Sequence, residues 1–299
     1  MSLWGIDLGG TKIEGAILSS TGAGEAAYRL RRPTESALGY EHVLSQIVGV
    51  VRDLEAASGI ACPPVLGIGT PGAVEQAHGA LKNSNSTCLN GRPLRDDLSQ
   101  ALGCEVRMAN DANCFALAEA TLGAAAGEPV VMGLILGTGV GGGLVVDGKI
   151  LNGRHGIAGE WGHNPLCGED HPCYCGRRGC IETVIAGPSL ERHYRRLSGE
   201  SIRLPAIAQK ASEGDEPARK TLAFLQQKFG EAIAAVLNIL DPDAVVIGGG
   251  VGNLDVLYTG ETRDCIRRHL FNPTLETRIL RPLLGDSAGV FGAAMLTRS

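Results

Sequence analysis

At 299 residues the chain exceeds the usual size of one domain, so two lobes are the starting expectation. Its formal net charge of −5 comes without a long run of Lys or Arg, which removes the electrostatic footprint of a nucleic-acid or membrane-surface binder. Nine cysteines, an odd number unevenly spread through a chain able to bury its own core, argue against a disulfide framework.

The chain enters a strand-like run at Leu3, Trp4 and Ile6 with neither a basic leader nor an apolar one, so a cytoplasmic protein is expected. The next residues, Asp7-Leu8-Gly9-Gly10-Thr11-Lys12, form a glycine turn before a second strand, Ile13 to Leu18. Glycines let backbone N–H groups converge on an anion, the Thr11 hydroxyl adds a donor, and Lys12 adds charge. This is not a Walker A loop, because the spacing before the Lys and the following helix are both absent. Taken alone, an ordinary tight hairpin accounts for it equally well.

Apolar residues at helical spacing from Leu38 to Ala57 precede a strand over Val65-Leu66-Gly67-Ile68-Gly69. A further strand, Glu105 to Met108, leads into Asn110-Asp111-Ala112-Asn113 and a helical stretch from Cys114 to Leu122. An Asp at the carboxyl end of a strand can accept a proton from a hydroxyl, which makes Asp111 a candidate general base. An isolated Asn-Asp pair in that place is more often a helix N-cap. The lobe boundary is expected just after Asn113.

From Val130 to Val146 the opening plan recurs: an apolar run to Leu136, then Gly137-Thr138-Gly139-Val140-Gly141-Gly142-Gly143, then Leu144 to Val146. Five glycines in seven positions would each cost up to about 1 kcal/mol relative to Ala, so backbone access by a ligand is the better account. Downstream, Cys173-Tyr174-Cys175-Gly176-Arg177-Arg178-Gly179-Cys180 is the most specific local pattern, with Glu182 just beyond and Glu160-Trp161-Gly162-His163 before it. Three thiolates and an imidazole make a closed, structural Zn²⁺ site. His163 is the favoured fourth ligand, with Cys167, His155 and His171 as competitors. Glu160 and Glu182 flank the cluster as candidate sugar-hydroxyl ligands, although isolated acids are more often plain surface groups. A long helix from Thr221 to Leu240 and a strand to Ile247 end at Gly248-Gly249-Gly250, a pattern suited to nucleotide contact or to close strand-helix packing.

In this order the motifs resemble the ROK family, named for repressors, open reading frames and kinases, and the resemblance covers essentially the whole chain. Gly67-Ile68-Gly69-Thr70-Pro71-Gly72 belongs to it as well. The stretches Asn83-Ser84-Asn85-Ser86-Thr87, Leu89-Asn90-Gly91, Tyr194 to Gly199 and Gly285 to Val290 look most like the manno(fructo)kinase type, with N-acetylglucosamine kinases as the second reading. Cys88 stands where those fructokinases tend to carry Trp.

The resemblance implies an α/β, two-lobed, actin-like ATPase fold with duplicated mixed sheets, flanking helices and a cleft. The small lobe would span residues 1–113 plus a C-terminal helix at about 289–299, and the large lobe 114–288. It implies ATP with Mg²⁺ as cofactors, bound by Asp7, Gly9, Gly10, Thr11, Lys12, Gly137, Thr138, Gly139, Gly248, Gly249 and Gly250. Asp111 would be the base acting on a hexose hydroxyl, expected on C6. Asn110, Glu160, His163 and Glu182 would hold the sugar, and His163, Cys173, Cys175 and Cys180 a structural Zn²⁺. A homodimer is also implied. A sugar-responsive transcription regulator needs a DNA-binding module ahead of this part, and the glycine hairpin begins almost at Met1. A sugar sensor without catalysis is the remaining rival, separated by sugar-dependent ADP release.

Overall fold

The computed structural model describes residues 2–19, 25–74, 80–82, 84 and 86–298. Asn83 and Asn85, from the stretch likened to fructokinases, lie outside the described residues, as do Met1 and Ser299.

The chain opens with three antiparallel strands, β1 (Leu3–Leu8), β2 (Lys12–Leu18) and β3 (Ala26–Pro33). Helix α1 (Tyr40–Ser58) buries Val43, Ile47, Val50, Val51 and Leu54, the stripe that its helical spacing predicts. Gly59 ends it in a left-handed conformation, φ 68°, with its N–H on Glu55 O. Next come β4 (Val65–Thr70), the two-residue strands β5 (Ala73–Val74) and β6 (Leu81–Lys82), α2 (Leu94–Leu102), β7 (Glu105–Asn110) and α3 (Asp111–Thr121). The first sheet is ordered β3-β2-β1-β4-β7, with β1, β4 and β7 mutually parallel.

The plan then repeats. Strands β8 (Val130–Leu136), β9 (Val140–Val146) and β10 (Lys149–Ile150) are followed by helices α4 (Glu182–Ile185), α5 (Gly187–Ser198), α6 (Leu204–Ser212) and α7 (Glu216–Leu240). After them come β11 (Ala244–Gly248), α8 (Gly249–Gly252), α9 (Gly260–Arg267), β12 (Arg278–Leu280) and α10 (Ala288–Met295). The second sheet reads β10-β9-β8-β11-β12, the same arrangement of three strands joined by hairpins beside two parallel ones. The duplicated, mixed-sheet architecture expected from the sequence is therefore present. Helix α7 begins one turn before Thr221, because Asp215 caps it by accepting the Ala218 N–H and Pro217 sits in its first turn. No helix among the described residues is long and apolar enough to cross a membrane.

By its internal contacts the chain divides into two compact units, 1–127 with 143–158 and 283–299, and 128–142 with 159–282. The division falls later than the sequence boundary after Asn113. Helix α3 does not leave the first unit, because Ala112 to Ala120 are all buried and the helix packs along α10. Residues 143–158 also belong to this unit, so β9 carries the chain from one unit into the other.

Within the first unit, the fully buried carboxylate of Glu119 on α3 accepts the backbone N–H groups of Ala124, Leu283 and Leu284. It ties α3 to the segment that leads into α10. Glu119→Ala leaves three part-buried backbone donors without this partner, so a loss of about 2–3 kcal/mol is expected, read as a lower urea midpoint. Glu119→Gln keeps one acceptor oxygen and should lose less, and an unchanged midpoint for the Ala variant would contradict this role.

Candidate active site

Parallel register places the acids of the first unit. Asp7 on β1 is level with Gly69 on β4, and Gly69 with Ala109 on β7, so Asp7 and Asp111 emerge at one carboxyl edge of the sheet. Asn110 takes the N-cap role of α3, its Oδ1 accepting the Asn113 N–H at 2.7 Å. That leaves Asp111 in the first helical turn rather than as the cap. Its Oδ1 accepts the Ala112 N–H at 2.8 Å. The side chain is reached by solvent while protein crowds it on most sides, and this desolvation raises its pKa against the opposing backbone hydrogen bonds.

Asp7 is pushed up to about 6 by burial first, and then by the negative charges of Asp111 and Glu14. The hairpin after it is held by Gly9 N–H on Lys12 O, at 2.9 Å, and by the Thr34 hydroxyl on Gly9 O, at 2.7 Å. Thr34 escaped the sequence reading because nothing local marks a residue more than twenty positions away as a partner of the turn. Lys12 Nζ lies 3.7 Å from buried Glu14. Burial favours the neutral form of Glu14, but hydrogen bonds from Arg29 and Arg31 outweigh it and hold the carboxyl below its usual range.

In the second unit, β8 and β11 are parallel neighbours, so Gly137-Thr138-Gly139 and Gly248-Gly249-Gly250 lie at the same carboxyl edge. The glycines do not all serve one purpose. At Gly10, Gly137 and Gly250 a Cβ would meet nothing within 4 Å, so packing does not demand glycine there and the backbone is open to a ligand. At Gly139, Gly142 and Gly143 a Cβ would come within 2.6 Å of other protein atoms. Close packing, rather than ligand access alone, explains much of that loop's glycine content.

Glu182 accepts the Val140 N–H at 2.9 Å, and a Cβ on Gly139 would lie 2.6 Å from the same Oε2. The acid expected only to hold sugar thus also fixes the glycine loop. Trp161 anchors the turn carrying Glu160 and His163, with its indole N–H on Ala232 O at 3.3 Å and its ring edge-on to Phe229.

One ligand atom from each of His163, Cys173, Cys175 and Cys180 lies within 4.8 Å of all the others. Cys175 and Cys180 Sγ are 3.6 Å apart, and Cys173 Sγ is 3.6 Å from His163 Nδ1. Tetrahedral zinc with bonds of about 2.3 Å to sulfur and 2.0 Å to nitrogen has edges of about 3.8 and 3.5 Å, so this donor set fits that ion. Cys167, His155 and His171 are not in the group. His163 Nε2, the nitrogen expected to meet a sugar, is 3.1 Å from the Tyr174 hydroxyl. That phenol is pushed up to about 12 by desolvation and by the Glu182 and Glu160 carboxylates. The sequence pattern assigns Tyr174 no role of its own.

The profile described as "ROK family" matches residues 3–299. An N-acetyl-D-glucosamine kinase of Pasteurella multocida is 38% identical over 304 residues, covering 98% of each chain. A ROK hexokinase from Thermus thermophilus superposes with a TM-score of 0.88 at 32% identity, covering 99% of this chain and 97% of that one. A ROK glucokinase from Streptomyces griseus, solved with glucose and AMPPNP, gives a TM-score of 0.79 at 28% identity, covering 100% and 99%.

Asp7 binds its proton more tightly folded than unfolded, so its ionisation weakens the fold as pH rises from about 4 to about 6 and the cost persists above that. The cost reaches about 3 kcal/mol, and Asp7→Asn removes it. The variant should melt above the wild type at pH 8, with a smaller gap at pH 5. Calorimetry showing the wild type equally stable at pH 8 would contradict this.

Proposed function

The chain belongs to the ROK family and is an ATP-dependent sugar kinase of it, and from this premise we propose that it phosphorylates an N-acetylated hexosamine, N-acetylglucosamine first, on the C6 hydroxyl. The observation that carries the choice of sugar is the 38% identity to N-acetyl-D-glucosamine kinases over 98% of the chain. The fructose preference expected from short stretches gives way to that whole-length likeness.

In this reading Asp111 receives the proton of the attacking hydroxyl. Desolvation raises its basicity, which brings it closer to the range in which a general base works near neutral pH. Asn110, Glu160, His163 and Glu182 orient the sugar hydroxyls. The glycine turns at 9–12, 137–139 and 248–250 present backbone N–H groups to the phosphates of ATP. Asp7, an acid crowded by two others, suits Mg²⁺ brought with the nucleotide, and charge on the phosphoryl oxygens would be neutralised by that ion. The Cys173, Cys175, Cys180 and His163 donors would hold Zn²⁺, which in a closed four-ligand site supplies rigidity and no chemistry.

A kcat/KM panel over N-acetylglucosamine, N-acetylmannosamine, glucose, mannose and fructose tests the sugar, with N-acetylglucosamine expected to lead. A dominant fructose activity would restore the fructokinase reading without touching the family. Asp111→Asn keeps the shape and removes the base, so kcat should fall by ~10²–10⁴. A fall of much less than about tenfold would remove Asp111 from that role.

A further inference from the structure

We propose that Tyr258 is a positioning residue for ATP, whose hydroxyl braces the glycine turn at 248–250 so that the turn's backbone N–H groups are set before the nucleotide arrives. The inference rests on the reading that this turn meets the phosphates of ATP. Tyr258 acts through the turn and not on the ligand itself.

The turn cannot hold its own shape. Helix α8 is a single turn with the sequence Gly-Gly-Val-Gly, rich in the residue with the greatest backbone freedom and too short to sustain itself. No side chain caps it at Gly248. Two outside constraints remain. Gly249 takes φ 83°, and a Cβ there would lie 2.4 Å from Leu136 O on β8, so the start of the turn is pressed against the neighbouring strand. The far end is held by Tyr258, whose hydroxyl lies 2.7 Å from Gly252 O and 3.1 Å from Ile247 O. One phenol thus spans the last residue of α8 and the residue of β11 just before the glycines. Both partners are carbonyls, so the O–H is the donor and its proton is shared between them.

The ring is fixed independently of those carbonyls. Tyr258 ends a short 3-10 turn, Asp255–Tyr258, and the Arg281 guanidinium lies over its ring, 4.1 Å from the centroid. Arg281 also donates to Asn253 O at 3.3 Å and to Asp255 Oδ1 at 2.5 Å. It follows β12 directly, and Leu280 of that strand pairs with Val246 of β11, so the sheet sets the cation above the ring. The hydroxyl therefore imposes its position on the turn instead of following it. Gly250 is left with its open side to a ligand. A turn ordered in advance loses less conformational entropy when it binds, and that difference appears as affinity.

The test is steady-state kinetics of the full chain and its Tyr258→Phe variant, using the sugar that leads the kcat/KM panel, at a temperature well below the melting point measured for each. Tyr258→Phe keeps the ring under Arg281 and removes only the donor. KM for ATP should rise about three- to tenfold. KM for the sugar and kcat should stay within about twofold. General loss of stability lowers the active fraction, and with it apparent kcat, but does not shift one KM alone. No rise in KM for ATP overturns the proposal whether or not kcat falls, and so does an equal rise in KM for the sugar. Gly250→Ala run alongside separates the two readings, because it adds a methyl on the open side of the turn and should raise KM for ATP if the nucleotide lies there. If it does so and Tyr258→Phe does not, only the Tyr258 assignment fails. If neither variant moves KM for ATP, the nucleotide is not held by this turn and the assignment falls with that reading.

Discussion

Backbone contact between the C-terminal helix and the first sheet is the constraint on which the edge carrying Asp7 and Asp111 rests. A Cβ on Gly5 would lie 2.2 Å from Val290 O, one on Gly67 1.7 Å from Ala293 O, and one on Gly292 1.8 Å from Cys114 O. No side chain fits at such distances, so α10 lies against β1, β4 and α3 more closely than any residue but glycine permits. The ends of β1 and β4 and the first turn of α3 are thereby held as one rigid piece. Asp7 and Asp111 sit on that piece, and phosphoryl transfer gains most of its rate from placing groups to a fraction of an ångström.

The second unit reaches comparable rigidity by a different route. A short segment with little core of its own, residues 164–181, is knitted by backbone bonds such as Leu166 N–H on Gly179 O and Ile181 N–H on Asn164 O, and by the four-donor group. Glu182 follows immediately and takes hold of Val140 N–H in the glycine loop. Order in the candidate metal-binding segment is thus passed by one carboxylate to the backbone expected to meet phosphate. A metal without an open coordination position can matter to turnover in this way, through the geometry it imposes on its neighbours.

Much of the fold was legible because its signals are local and repeated. Two strand-glycine-strand runs announce two sheets of the same plan, and Val43, Ile47, Val50 and Leu54 announce α1 by spacing alone. The candidate metal group was legible in its three cysteines, and His163, favoured over Cys167, His155 and His171 from the sequence, is the fourth donor that the path of the loop brings to them. Partners distant in sequence left no trace: Thr34 for the first hairpin, Glu119 for the strand-free segment at 283–284, Glu182 for Val140. The lobe boundary was misplaced for the same reason. Helix α3 follows a strand and reads as the start of something new, yet its main packing partner is α10, which lies more than 160 residues later.

The two acids at the edge of the first sheet differ in what their surroundings ask of them. Burial raises both, but for Asp7 the charge of Asp111 adds to it, while for Asp111 backbone N–H groups oppose it by favouring the anion. Lys12 is the weakest of the influences on Asp7, being drawn toward Glu14. Two neighbouring carboxylates with so little positive charge nearby resist being ionised together. A ligand that brings a divalent cation to Asp7 would relieve that conflict. The electrostatics of this edge therefore suit a metal-bound polyphosphate better than a bare one.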